Sequence, residues 1–111
     1  MELLFEPETD YCVVKISGRL DAGNIDHLKK KFSKQLVSHK WFVFNLTELD
    51  FMDSSGLGAI ISCLRKAVEK KGDIKLVGLT PKVKMVFEIT RADQIFGVYN
   101  ELDAALASMD T

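Results

Sequence analysis

The segment from Trp41 to Leu46 constrains the fold of this chain more than any other, because it is almost continuously apolar. A strand with one face in water alternates apolar and polar residues. A strand inside a parallel sheet is covered on both faces and reads as a nearly unbroken apolar run. Ile74 to Leu79 predicts another long strand. With helical patterns between the strands, this predicts an α/β fold with a largely parallel sheet.

Extended and helical patterns alternate along the rest of the chain. Further strands are predicted at Leu3–Phe5, Tyr11–Ser17 and Ile95–Tyr99. Helices are predicted to begin at Asn24, after Asp53, at Thr80–Pro81 and at Asn100. The segment Thr47–Asp50 is interpreted as a polar turn, and Gly72 as the left-handed C-terminal cap of the second helix. We expect a single domain, residues 1–111, with a mixed, mostly parallel sheet of about four to five strands and about four helices. The strand at the N-terminal end is expected to be antiparallel.

Charge and cysteine content exclude several classes of protein. Lys and Arg total 15 and Asp and Glu total 16, so the net charge of -1 gives no electrostatic basis for nucleic-acid binding. The longest strongly apolar stretch, Leu57 to Leu64, is too short to cross a membrane, and no membrane insertion is expected. The N-terminus shows no targeting segment. Cys12 and Cys63 are too few and too isolated for a disulfide framework or a zinc site, so we interpret them as reduced thiols in the core of a cytoplasmic protein.

The segment from Asp50 to Gly58 carries the most chemical information. It follows a buried strand and opens a helix, which is where ligands and reacting groups gather in open α/β sheets. A helix N-terminus presents unpaired N–H groups and a positive dipole end, so it favours a phosphate. A serine hydroxyl there is well placed to carry a phosphoryl group. Simple capping also explains the residues, because Asp and Ser are preferred N-caps and Gly eases the turn.

An enzymatic interpretation finds no support in the motifs. Met52 stands where a nucleophile elbow needs glycine, and the pair Gly56 and Gly58 lacks the third glycine of a dinucleotide fingerprint. No phosphate loop with its lysine is present. We therefore expect no catalytic residue, no metal and no cofactor. An enzyme or a small nucleotide-binding domain is kept as an alternative hypothesis.

The sequence Phe51-Met52-Asp53-Ser54-Ser55-Gly56-Leu57-Gly58 closely resembles the signature of bacterial anti-sigma factor antagonists, whose fold is the STAS domain. Other segments resemble the same family as well. Gly18-Arg19-Leu20-Asp21 is similar to its loop before the first helix, and Leu79-Thr80-Pro81-Lys82-Val83 is similar to the start of its later helix. Motif, spacing and length agree, so the resemblance covers the whole chain.

This resemblance implies a switch between partners. The unphosphorylated antagonist binds an anti-sigma factor that is also a serine kinase, and the sigma factor is released. The kinase then phosphorylates a serine of the motif, which would be Ser54, and a PP2C-type phosphatase reverses the modification. The resemblance places partner contacts at Asp21, Asn24, Asp53, Ser54, Ser55, Gly56 and Leu57. The alternative that the same fold suggests is a stand-alone scaffold subunit of a membrane transport complex.

Overall fold

The structure is a computed structural model that describes residues 1–109. The strands are β1 (Glu2–Pro7), β2 (Cys12–Leu20), β3 (Trp41–Asn45), β4 (Leu49–Met52), β5 (Asp73–Val77) and β6 (Gly97–Tyr99). The helices are α1 (Ile25–Leu36), α2 (Ser54–Glu69), α3 (Pro81–Ile89) and α4 (Leu102–Ser108). A single 3₁₀ turn covers Ala92–Gln94. The predicted α/β class is confirmed, and residues 1–109 contain the four predicted helices but six strands in place of four to five.

The sheet is mostly parallel, as the apolar strands predict. Its order is β1-β2-β3-β5-β6, and β4 pairs with β2. Only β1 runs antiparallel among these strands, as the far arm of a hairpin with β2. The predicted antiparallel N-terminal strand is therefore confirmed.

Two apolar clusters of unequal size hold the helices to the sheet. The larger one joins α1, α2 and α3 to one face through fully buried side chains that include Phe32, Phe44, Ile60 and Phe87. The smaller one lies under α4 and consists of Val13, Val43, Val77 and Ala105. β3 contributes to both clusters, which explains why its sequence is apolar on both faces.

The additional strand is β4, which begins within the segment interpreted from the sequence as a polar turn. Leu49 is fully buried and Met52 nearly so, whereas Asp50 between them is exposed. A strand of four residues with a central aspartate has a weak extended signal. It forms because β2 continues past the end of β3, so its last residues need another partner. Gly18, at φ 84°, marks the shift in register where β4 takes over.

Several predicted boundaries also differ. For example, β5 ends at Val77 and not at Leu79, and Glu101 rather than Asn100 precedes α4. The last strand is Gly97–Tyr99, two residues shorter at its start than predicted, because the 3₁₀ turn and the exposed Ile95 precede it. At the end of α2, the left-handed residue is Lys71 at φ 65°, not Gly72. Gly72 is required for another reason. A Cβ at this position would overlap the backbone carbonyl oxygen of Lys40.

Candidate functional site

The candidate site forms where two neighbouring strands end. β2 and β4 are parallel, and their last residues, Leu20 and Met52, are paired in register. Because parallel strands end at the same edge, the loop after Leu20 and the start of α2 lie side by side. This brings Asp21 and Asp53 into one surface, although 32 positions separate them in the chain.

Asp53 is the N-cap of α2 and connects the helix to the neighbouring loop. Its Oδ1 accepts a hydrogen bond from the N–H of Gly56 at 2.8 Å. Its Oδ2 accepts from the N–H of Ala22 at 3.4 Å. The backbone N–H of Asp53 donates to the carbonyl of Leu20 at 3.3 Å. The capping prediction is confirmed, and the same carboxylate also positions the loop.

Ser54 is the first residue of α2, and its side chain is exposed, whereas Ser55 is half-buried. Within residues 1–109, the backbone N–H groups of Ser54 and Ser55 donate to no protein acceptor. Unpaired N–H groups at the start of a helix attract an anion that lies next to them. An exposed hydroxyl therefore stands beside a set of donors suited to a phosphate.

The loop that faces Ser54 is held by its own polar side chains. Oδ1 of Asp21 accepts from the N–H of Gly23 at 3.0 Å, and Oδ1 of Asn24 accepts from the N–H of Asp21 at 3.0 Å. Nδ2 of Asn24 donates to the carbonyl of Arg19 at 2.9 Å. These short-range bonds fix the shape of the loop before any partner arrives. Asp21 and Asn24 are both half-buried, so part of each side chain stays accessible.

Two predicted contact residues lie mostly in the interior. Leu57 is 6% exposed and belongs to the large apolar cluster. Gly56 is buried, and a Cβ there would come within 2.5 Å of the carbonyl oxygen of Leu20. Burial does not favour direct contact of either residue with a partner. Their partner role stays a prediction, and in the structure they anchor α2 to the end of β2.

Arg19 is a surface residue of this site that the motifs of the sequence do not single out. Its guanidinium lies 4.1 Å from the centre of the Phe51 ring, and its Nε is 3.8 Å from Oδ2 of Asp21. A cation on an aromatic face is stabilised by the ring quadrupole. The contact depends on the register in which Arg19 faces Phe51. It could not be found from the sequence, because the sequence pattern predicts a turn where β4 begins.

The polar groups at this edge include carboxylates, a serine hydroxyl and backbone N–H groups. Within residues 1–109, no three His, Cys, Asp or Glu side chains are arranged to hold a metal ion. The cysteines lie in the core, where burial raises the pKa of Cys63 to about 12 and that of Cys12 to about 11. Among the described residues, no helix has the length and apolar character needed to cross a membrane.

Comparison with known proteins gives a consistent result. Residues 3–105 match the family model described as the STAS domain. The anti-sigma-B factor antagonist of Listeria monocytogenes is 27% identical over 96 residues, which cover 86% of this chain and 84% of that protein. Among solved structures, an anti-sigma factor antagonist from Mycobacterium paratuberculosis is 25% identical with a TM-score of 0.86, covering 97% of this chain and 92% of that one. The phosphorylated form of the Bacillus protein SpoIIAA has a TM-score of 0.78 at 20% identity, covering 98% of this chain and 100% of that one. That last likeness concerns the fold alone.

Proposed function

Because the chain belongs to the STAS domain family, we propose that it is an anti-sigma factor antagonist, as its curated relatives are named. In this proposal the unphosphorylated protein acts in the cytoplasm and binds an anti-sigma factor that is also a serine kinase. The bound anti-sigma factor releases its sigma factor, and transcription from the corresponding promoters follows. The protein is a substrate and a binding partner, not an enzyme.

Phosphorylation of Ser54 ends the interaction. The kinase transfers the γ-phosphoryl group of ATP to the hydroxyl oxygen of Ser54, the bond to the β-phosphate breaks, ADP leaves, and the hydroxyl proton passes to a base on the kinase. A PP2C-type phosphatase then hydrolyses the phosphoserine and restores the hydroxyl. This assignment rests on the motif Asp53-Ser54-Ser55-Gly56 and on the exposure of the first serine.

The single observation that carries the proposal is the exposed Ser54 hydroxyl at the N-terminus of α2, beside the fixed loop of Asp21 and Asn24. A phosphoserine adds about -1.5 to -2 charges at neutral pH. The helix dipole and the free N–H groups tolerate that charge. A partner surface that accommodates Asp21 and Asp53 must now also accommodate a dianion, and binding weakens without any refolding of the domain.

The transport-scaffold alternative shares the fold but not this argument. It gives no role to an exposed serine at the helix N-terminus. Curated relatives of this chain are named anti-sigma factor antagonists, so the alternative is not favoured.

Phosphate mapping with the anti-sigma factor kinase of the same genome tests the proposal. The purified chain, the Ser54→Ala variant and the matched Ser55→Ala variant are incubated with kinase and ATP, and the phosphopeptide is identified by mass spectrometry. We expect phosphate on Ser54 in the wild type and in Ser55→Ala, and none in Ser54→Ala. Phosphate on Ser55, or undiminished labelling of Ser54→Ala, would overturn the assignment of Ser54. Failure of the kinase to bind the unphosphorylated chain would overturn the antagonist function itself.

A further inference from the structure

An open groove of about 1040 Å³ lies at the end of the molecule opposite Ser54. Trp41, the first residue of β3, and Tyr11, which precedes β2, line it. β2 and β3 are parallel, so both residues mark the amino ends of these strands. The loop of Asp21 follows the other end of β2. The groove is therefore separate from the candidate site around Ser54.

Part of the lining of the groove is apolar, and the fold leaves this part incompletely covered. Tyr11, Trp41, Leu106 and Met109 all line it, and all four are only half-buried. Tyr11, Leu106 and Met109 pack against the small cluster under α4. Val37, also in the lining, is 82% exposed. Apolar side chains that converge on a concave surface are typical of a site for the apolar part of a small ligand.

Among the lining residues that the structure describes, lysines outnumber carboxylates. Lys40 and Lys70 both line the groove, against one carboxylate, Asp10. Within residues 1–109, neither lysine forms an ion pair. Nζ of Lys70 donates one hydrogen bond to the carbonyl of Leu36 at 2.7 Å, which fixes the ammonium at the rim and leaves two of its N–H groups free. The groove thus joins an apolar wall to two cations.

From this arrangement we propose that the groove binds a small amphipathic anion, a molecule with an apolar body and one acidic head group. The body lies against Tyr11, Trp41 and Leu106, and the head group accepts hydrogen bonds from the ammonium groups of Lys40 and Lys70. Charge complementarity selects an anion over a neutral apolar molecule. The apolar wall selects a ligand with a hydrocarbon body over a small inorganic anion.

Trp41 makes this proposal directly measurable, because it is the only tryptophan of the chain. The full chain is titrated with decanoate while the emission of Trp41 is recorded, and with decanol and acetate as probes that lack the charge or the body. We expect a saturable change with decanoate, weaker binding of decanol, and no change with acetate. Losing one charged hydrogen bond should weaken decanoate binding about tenfold in Lys40→Gln and in Lys70→Gln.

Two variants control for effects outside the groove. Lys82 is an exposed lysine at the start of α3 and does not line the groove, so Lys82→Gln should bind decanoate like the wild type. Ser54→Asp should also bind it unchanged, which separates this inference from the proposed function. Melting curves establish that each variant is folded. Absence of a saturable change, equal binding of decanol, or equal weakening by Lys82→Gln would each overturn the proposal.

Discussion

At the scale of single residues, Asp53 combines a stabilising role with a position in the candidate interface. One carboxylate oxygen caps α2 through Gly56, and the other accepts from Ala22 in the loop of β2. Its negative charge also interacts favourably with the positive end of the helix dipole. The cap on α2 can be separated from the charge by substitution, because asparagine keeps one accepting oxygen and is an equally good N-cap.

Asp53→Ala should lower the free energy of unfolding by about 1 kcal/mol, the usual effect of losing an N-cap. Asp53→Asn keeps the cap and should stay closer to the wild type, since it loses only the charge interaction and the long hydrogen bond from Ala22. Urea denaturation of the two variants provides the measurement. Equal stability of Asp53→Ala and the wild type would show that the bond to Gly56 contributes nothing to the fold.

The chemistry of single residues is partly visible in the sequence. Residue types and spacing predict the cap at Asp53 and an accessible hydroxyl at the start of the helix. The role of Arg19 is not visible, because its contact with Phe51 depends on the pairing of two strands. The burial of Leu57 can be expected from its place on the apolar face of the helix, whereas the motif alone includes it among the contacts.

At the scale of elements, the first turns of α2 contain two glycines, Gly56 and Gly58, whose surroundings differ. Gly56 faces the end of β2, and a Cβ there would lie 2.5 Å from the carbonyl oxygen of Leu20 and 2.8 Å from Cγ of Met52. A Cβ at Gly58 would meet no atom within 4 Å. Gly58 is exposed and lies one turn after Ser54, on the same side of the helix. The fold therefore requires glycine at position 56 but not at position 58.

Gly56→Ala and Gly58→Ala form a matched pair of substitutions in one helix. Gly56→Ala should destabilise the protein by about 1–3 kcal/mol, because the added methyl group pushes α2 away from β2. Gly58→Ala should stabilise it by about 0.5–1 kcal/mol, because alanine has the higher helix propensity and the space is open. Thermal or urea unfolding of both variants checks the signs. Two changes of the same sign would contradict the close packing at Gly56.

The elements differ in how clearly the sequence marks them. Long apolar strands such as Trp41–Asn45 and helices with a regular apolar face are predicted well, because burial on a known face dictates the residue pattern. β4 escapes prediction because four residues with a central Asp50 carry too little pattern, and its existence depends on the unpaired end of β2. Local sequence does not encode such a dependence on a distant element.

At the scale of the whole molecule, the large apolar cluster determines the behaviour of the two cysteines. Both thiols are buried, and loss of solvation raises the pKa of Cys63 from 9.0 to about 12 and that of Cys12 to about 11. In the unfolded chain these thiols ionise near their ordinary pKa of 9.0. At pH values above this pKa the folded state therefore binds more protons than the unfolded state. Stability must then fall as the pH rises.

The free energy of unfolding should therefore decrease from about pH 9 toward pH 11, by up to about 1.4 kcal/mol per pH unit for each thiol. Urea denaturation across this range, compared with the double variant Cys12→Ala/Cys63→Ala, isolates the thiols from other groups that titrate there. The double variant should show a shallower loss. Parallel pH profiles for the two proteins would contradict this account.

The cap at Asp53 and the hydrogen-bonded loop also determine how the whole molecule should respond to charge at position 54. Ser54→Ala and Ser54→Asp should both melt near the wild type, because the cap belongs to Asp53 and a carboxylate suits a helix N-terminus. In binding experiments with the anti-sigma factor kinase, Ser54→Ala should bind persistently and Ser54→Asp more weakly. The new carboxylate lies beside Asp53 in the proposed contact surface, and the loss should appear mainly as faster dissociation.

Surface binding kinetics with the purified kinase measure both rates, and Ser62→Asp on the same helix provides a control for a general charge effect. Ser62 is half-buried and lies two turns beyond Ser54, so its substitution should weaken kinase binding less. If both position-54 variants melt like the wild type and bind the kinase with equal affinity, the helix N-terminus is not the contact surface. A charge at position 54 that melts the domain would equally contradict a switch that works without refolding. The expected result is instead one fold with two affinities, because the loop and the helix start are already held in place by Asp21, Asn24 and Asp53.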